Sequence, residues 1–135
     1  MTQEEKQLLL KDLCARLPYG TMVNFTLGDI RFDEIVSSVD VNGSNVQVYT
    51  KHGFLRCPLE GDPEIELSQV KPYLRPMLSM TEEEHVKLKA VYDNGSNGLF
   101  DEYSHIDWLN ANHFDYRGMI EKGLALEAPD GMYKN

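Results

Sequence analysis

The chain has 135 residues, 41% apolar and 26% charged, with 22 acidic against 13 basic side chains and a net charge of −9. That length supports one compact unit, or two small ones, able to bury a core without disulfides or structural metal. The acidic balance argues against nucleic acid and anionic membranes as partners, since both are held by cationic side chains, and no apolar run approaches membrane-spanning length.

The N-terminus lacks an apolar signal core, so a cytoplasmic protein with reduced cysteines is expected. Cys14 and Cys57 are the two cysteines, and each reads as a small buried hydrophobe. Charge is uneven: residues 1–20 balance, residues 21–80 carry net −3, and residues 81–135 carry net −6.

Thr2 and Glu5 form a capping-box pattern that opens a first helix. Leu10, Leu13, Cys14 and Leu17 follow at helical spacing, and Pro18-Tyr19-Gly20 ends the element. Residues 21–57 read as short strands with tight turns. Met22 to Leu27 is the first, and Ile30 to Val41 the second, with a bulge expected between Phe32 and Ile35. Asn42-Gly43-Ser44-Asn45 is a hairpin turn, Val46 to Tyr49 the returning strand, and Phe54 to Cys57 a fourth.

Four prolines mark residues 58–80. Ile65, Leu67 and Val70 suit a short strand or one helical turn, and Pro72 to Pro76 an extended, packed crossing. Thr81 and Glu84 repeat the capping box, with Glu82, Glu83 and Glu84 at the positive end of the helix dipole. Val86, Leu88, Val91 and Tyr92 supply its apolar face, and a glycine-rich loop follows from Asp93 to Gly98. Ser104 with Asp107 opens a further helix to about Asn112, which breaks at His113-Phe114. Asp115 caps a short helix to Lys122, Gly123 ends it, and Leu124, Leu126 and Tyr133 form a packed tail.

The expected fold is α+β. An N-terminal helix and a curled antiparallel sheet, with a small open barrel as its closed-up form, occupy residues 1–76. A helical segment, 77–135, packs on them within one compact unit.

Four kinds of site are conceivable. His105, Asp107, His113 and Asp115 form two His-x-Asp pairs whose donors suit zinc or iron, although helix capping and core packing explain the same residues. Residues 93–104 place Asp93, Asn97, Gly98 and Asp101 at calcium-loop positions, but Gly95 and Ser104 replace essential oxygen ligands. Catalysis is unsupported: no nucleophile elbow, phosphate-cradling loop or His-Glu-x-x-His is present, and no catalytic residue or cofactor is assigned. Tyr73, Arg75, Trp108, Tyr116 and Arg117 are of the types that anchor protein interfaces, with Trp108 also a natural core residue. A nucleic-acid alternative would rest on a basic strip of Arg56, Lys71 and Arg75.

Two stretches carry a likeness. One is Lys71-Pro72-Tyr73-Leu74-Arg75-Pro76-Met77 with Ser79 to Glu84. The other is Ile106-Asp107-Trp108-Leu109-Asn110-Ala111-Asn112-His113-Phe114-Asp115-Tyr116-Arg117-Gly118, continuing from Ile120 to Pro129. Both resemble a family of small proteins encoded by gut anaerobes and their phages or mobile elements. The resemblance implies a cytoplasmic accessory protein of phage or mobile-element context and brings no activity, ligand or catalytic residue with it. The function expected is therefore a non-enzymatic protein-interaction module. A nucleic-acid-binding small barrel and a metal-dependent function at 105–115 stand as the alternatives.

Overall fold

The computed structural model describes residues 1–27, 29–43, 45–51, 65–93 and 102–133. Helix α1 (Gln3–Arg16) passes through a 3-10 turn (Leu17–Tyr19) into β1 (Met22–Leu27), β2 (Ile30–Asn42) and β3 (Asn45–Lys51). Next come β4 (Ile65–Glu66), a 3-10 turn (Leu67–Gln69), β5 (Lys71–Leu74) and another 3-10 turn (Met77–Ser79). Helices α2 (Glu82–Asp93) and α3 (Glu102–Ala111) and strand β6 (Leu126–Glu127) complete the described chain. The fold is α+β. The expected strand Phe54 to Cys57, Arg56 with it, and most of the candidate calcium loop lie outside the described residues.

Helix α1 starts where the capping box requires: Thr2 Oγ1 accepts from the Glu5 amide at 3.1 Å, and Glu5 Oε1 accepts from the Thr2 amide at 3.0 Å. Its buried face is shifted by one position from the expected one: only Leu13 is common to both quartets, while Leu10 and Leu17 pack half-buried against the core. Leu9, Asp12, Leu13 and Arg16 are buried, whereas Cys14 is exposed. Both quartets have the same i, i+3, i+4, i+7 spacing. The inward one includes a carboxylate and a guanidinium, which pair with each other at 2.9 Å and so tolerate burial.

The sheet order is β4-β3-β2-β1-β5-β6. Neighbours are antiparallel except β5 and β6, which run parallel with Tyr73 opposite Leu126. The sheet is therefore mixed rather than wholly antiparallel, and it does not close. It must nevertheless curl. Strands β4 and β5 stand four positions apart in the order, ~19 Å in a flat sheet, yet only Leu67 to Val70 join them. Three of those residues form a 3-10 turn that advances only ~2 Å per residue. The strand and the turn expected as alternatives for Ile65 to Val70 thus occur in succession.

The β2–β3 hairpin closes at Asn42 opposite Asn45, with Gly43 at φ 61°. The bulge falls between Val36 and Ser38, later than the sequence indicates. Regular pairing continues through Glu34, whose carboxylate accepts from Thr50 Oγ1. The main core joins Leu9 and Leu13 of α1 to Val23, Phe25, Val36 and Val48 of the sheet, with Leu74, Met119 and Leu124 closing it. A second cluster holds Met80, Leu109 and Phe114, with Leu88, Trp108 and Tyr116 packed at its edge.

Val86, expected on the apolar face of α2, is instead 68% exposed. Asp107 lies inside α3 rather than capping it, because that helix already runs from Glu102. The short helix expected after Asp115 is a run of turns from Tyr116 to Gly123. The tail packs as expected, with Leu124 only 3% exposed.

Candidate functional site

The segment from Asn110 to Arg117 is held by contacts from three distant parts of the chain. Helix α3 ends when His113 adopts the left-handed conformation, φ 63°. The His113 amide donates to the Asn110 carbonyl at 3.0 Å and the Phe114 amide to the Leu109 carbonyl at 2.9 Å. This is a Schellman cap, with histidine where glycine is usual and with Phe114 and Leu109 making its apolar contact. Histidine is among the few side chains enriched in this region of backbone space. The pattern repeats at Gly123 (φ 75°), where Leu124 donates to Met119 at 3.0 Å.

Phe114 is then fixed on every side. Flanking main chains bond to Arg75: its amide donates to the His113 carbonyl at 2.7 Å, and its carbonyl accepts from the Asp115 amide at 2.8 Å. The Arg75 guanidinium lies 4.2 Å from the Phe114 ring centroid, and Trp108 stacks on that ring at 5.9 Å. The Phe114 carbonyl accepts from Arg16 Nη2 at 2.6 Å.

Arg16 is wholly buried. Its Nε donates to Asp12 Oδ2 at 2.9 Å, while Arg117 Nη1 donates to Asp12 Oδ1 at 2.8 Å. One carboxylate thus serves two guanidiniums. Both cations also approach Tyr116, Arg16 at 5.4 Å and Arg117 at 4.7 Å from the ring centroid. The Tyr116 hydroxyl donates to Asn110 Oδ1 at 2.9 Å.

The imidazole of His113 lies flat against Tyr133, with centroids 3.6 Å apart, and its Nδ1 is 3.3 Å from Thr21 Oγ1. Burial, reinforced by the positive charges of Arg16 and Arg75, holds its pKa down at about 4, so the ring is neutral at pH 7. The Tyr133 hydroxyl accepts from the Met22 amide at 2.9 Å and donates to the Tyr73 carbonyl at 2.7 Å. It therefore bridges β1 and β5 just beyond their last backbone pair, Val23 with Pro72. A hydroxyl beside a neutral imidazole has the composition of a nucleophile and base. Here Thr21 is fully buried, and Tyr133 stacks on one face of the ring, which is itself buried.

Most of the residues expected to bind are brought together by internal contacts. Arg75, Trp108 and Tyr116 pack around Phe114, Arg117 lies over Tyr116 and bonds to Asp12, and Tyr73 stands apart on the sheet. Tyr73 is 6% exposed, donates to Asp33 Oδ1 at 2.7 Å and accepts from Arg31 Nη2 at 3.3 Å. Of the metal candidates, Asp115 caps the following turns by accepting from the Met119 and Ile120 amides at 2.8 and 3.0 Å. His113 is engaged as above, and His105 and Asp107 lie on α3. Among the described residues, no three His, Cys, Asp or Glu side chains gather as a metal would require.

What sequence reasoning missed is the turn at Met77–Ser79. Arg75 and Glu84 form a two-pronged ion pair across its base, both bonds 2.6 Å. The Arg75 guanidinium, with the Thr81 cap, holds the Glu84 carboxyl down at about 2. The Ser79 amide and the Met80 amide donate back to the Pro76 and Met77 carbonyls, and Met80 is buried in the cluster with Leu109 and Phe114. At the apex, Leu78 is fully exposed at 101% of its reference area, beside Met77 at 39%. An apolar pair on a clamped turn leaves no trace in local periodicity. Comparison with protein-family models, with curated proteins and with solved structures found no match.

Proposed function

We propose that the chain is a non-enzymatic protein-interaction module, with the Met77–Leu78 turn as its contact. The observation that carries this reading is the full exposure of Leu78 on a turn whose two ends are locked by Arg75 and Glu84. Ordering a free backbone on binding would cost about 1–2 kcal/mol per residue. The Arg75–Glu84 pair and the turn's own amide bonds lower that cost here. Cytoplasmic location, expected from the sequence, and an accessory role in a phage or mobile-element setting, from the family resemblance, belong to the same proposal. The nucleic-acid alternative is weakened because Arg75 is committed to Glu84.

The test is affinity capture from a native lysate with the wild-type chain and Leu78→Asp, their folding compared by circular dichroism. A protein held by wild type and released by the variant is the expected outcome. Equal recovery by both would remove the turn as the contact.

A further inference from the structure

We infer that the partner surface is a protein pocket, apolar at its base and rimmed by lysine or arginine. This rests on the proposed role of the Met77–Leu78 turn and adds the partner's chemistry. Helix α2 begins four residues after Leu78, and its first turn carries Glu82, Glu83 and Glu84. Glu84 is neutralised by Arg75. Glu82 and Glu83 are exposed, and no lysine or arginine occurs from Met77 to Val86. The exposed apolar tip is therefore followed within five residues by two exposed carboxylates, Glu82 and Glu83, with no lysine or arginine between.

Charges placed at the rim of a contact govern approach and partner choice more than they add affinity. Two unpaired carboxylates beside an inserting leucine select a cationic border and reject an acidic one. That disfavours a second copy of this chain, since a two-fold contact through the tip would set Glu82 and Glu83 against themselves. It disfavours phosphate backbones for the same reason.

The experiment introduces a diazirine side chain at Met77 and irradiates the full chain in lysate at low and high salt. Wild type, Leu78→Asp, Leu78→Ala and the double variant Glu82→Lys/Glu83→Lys are compared, and the crosslinked peptide is sequenced. All these positions are exposed, so the fold should survive, and melting curves check it. The expected result is a crosslink next to lysine or arginine, reduced about tenfold by either Leu78 change. Charge reversal or high salt should cut it severalfold. A product lost with Leu78→Asp but indifferent to charge reversal and salt overturns the basic rim and leaves the contact standing. A product that survives both Leu78 changes, or no product in any arm, overturns the contact itself. Crosslinking to a second copy or to nucleic acid overturns the partner class.

Discussion

Asp12 and Arg117 meet at 2.8 Å across a sequence separation of 105 residues. The same carboxylate holds Arg16, so the first helix and the segment after α3 share one buried anion.

Asp12→Asn should leave the buried Arg16 charge without its counter-ion and destabilise the fold by ~3–5 kcal/mol. Urea unfolding measures this. Pairing the change with Arg16→Met should recover much of the loss, because the stranded charge is then gone. A double variant as unstable as the single one would show that the network contributes through geometry rather than charge.

His113 carries two opposed effects. Its left-handed backbone costs an L-residue about 1 kcal/mol, while its ring stacks on Tyr133 and bonds to Thr21. His113→Ala keeps the strain and loses the contacts, so it should be less stable than His113→Gly by roughly that amount. The pH dependence has a definite sign. The folded pKa lies below the ordinary 6.5, so the unfolded chain takes up its proton first on acidification. Wild type should lose stability between pH 6.5 and about 4, and His113→Gly should lack this slope.

Glu84 titrates in a lower window. Its folded pKa, about 2 against 4.5, means that its contribution is complete above 4.5 and fades as pH falls toward 2. Glu84→Gln should remove that slope and cost ~1–2 kcal/mol at pH 7, modest because the pair is partly exposed. Chemical denaturation at stepped pH separates this window from that of His113. Amide exchange at Ser79 and Met80 should accelerate in the variant if the clamp holds the turn.

Tyr133→Phe preserves the ring that covers His113 but removes the hydroxyl that bridges Met22 and Tyr73. A cost of ~1–3 kcal/mol is expected, since both backbone groups lose a partner in a half-buried site. Exchange of the Met22 amide is the local readout. Unchanged protection there would mean that β1 and β5 close up without the bridge.

Local chemistry was legible wherever a few neighbouring residues satisfy one another. The capping boxes at Thr2 and Thr81, the Asn42-Gly43 turn and the break at His113 were all readable, because each donor and acceptor lies within a few positions. The inward face of α1 was not. Asp12 and Arg16 lie off the apolar stripe that the spacing marks, and their burial is tolerable because they pair with each other and with Phe114 and Arg117. The same applies to Arg75, Trp108, Tyr116 and Arg117, whose residue types suggested an interface and whose actual contacts are with Glu84, Phe114, Asn110 and Asp12. Leu78 reverses the case: a leucine in sequence suggests burial, yet Met80 enters the Leu109–Phe114 cluster while Leu78 is left in solvent. The chain by itself determined its caps, turns and α+β class, which depend on short-range hydrogen bonds and periodicity. Tertiary structure decided which charges are buried and which apolar side chain is presented, because both depend on partners far away in sequence.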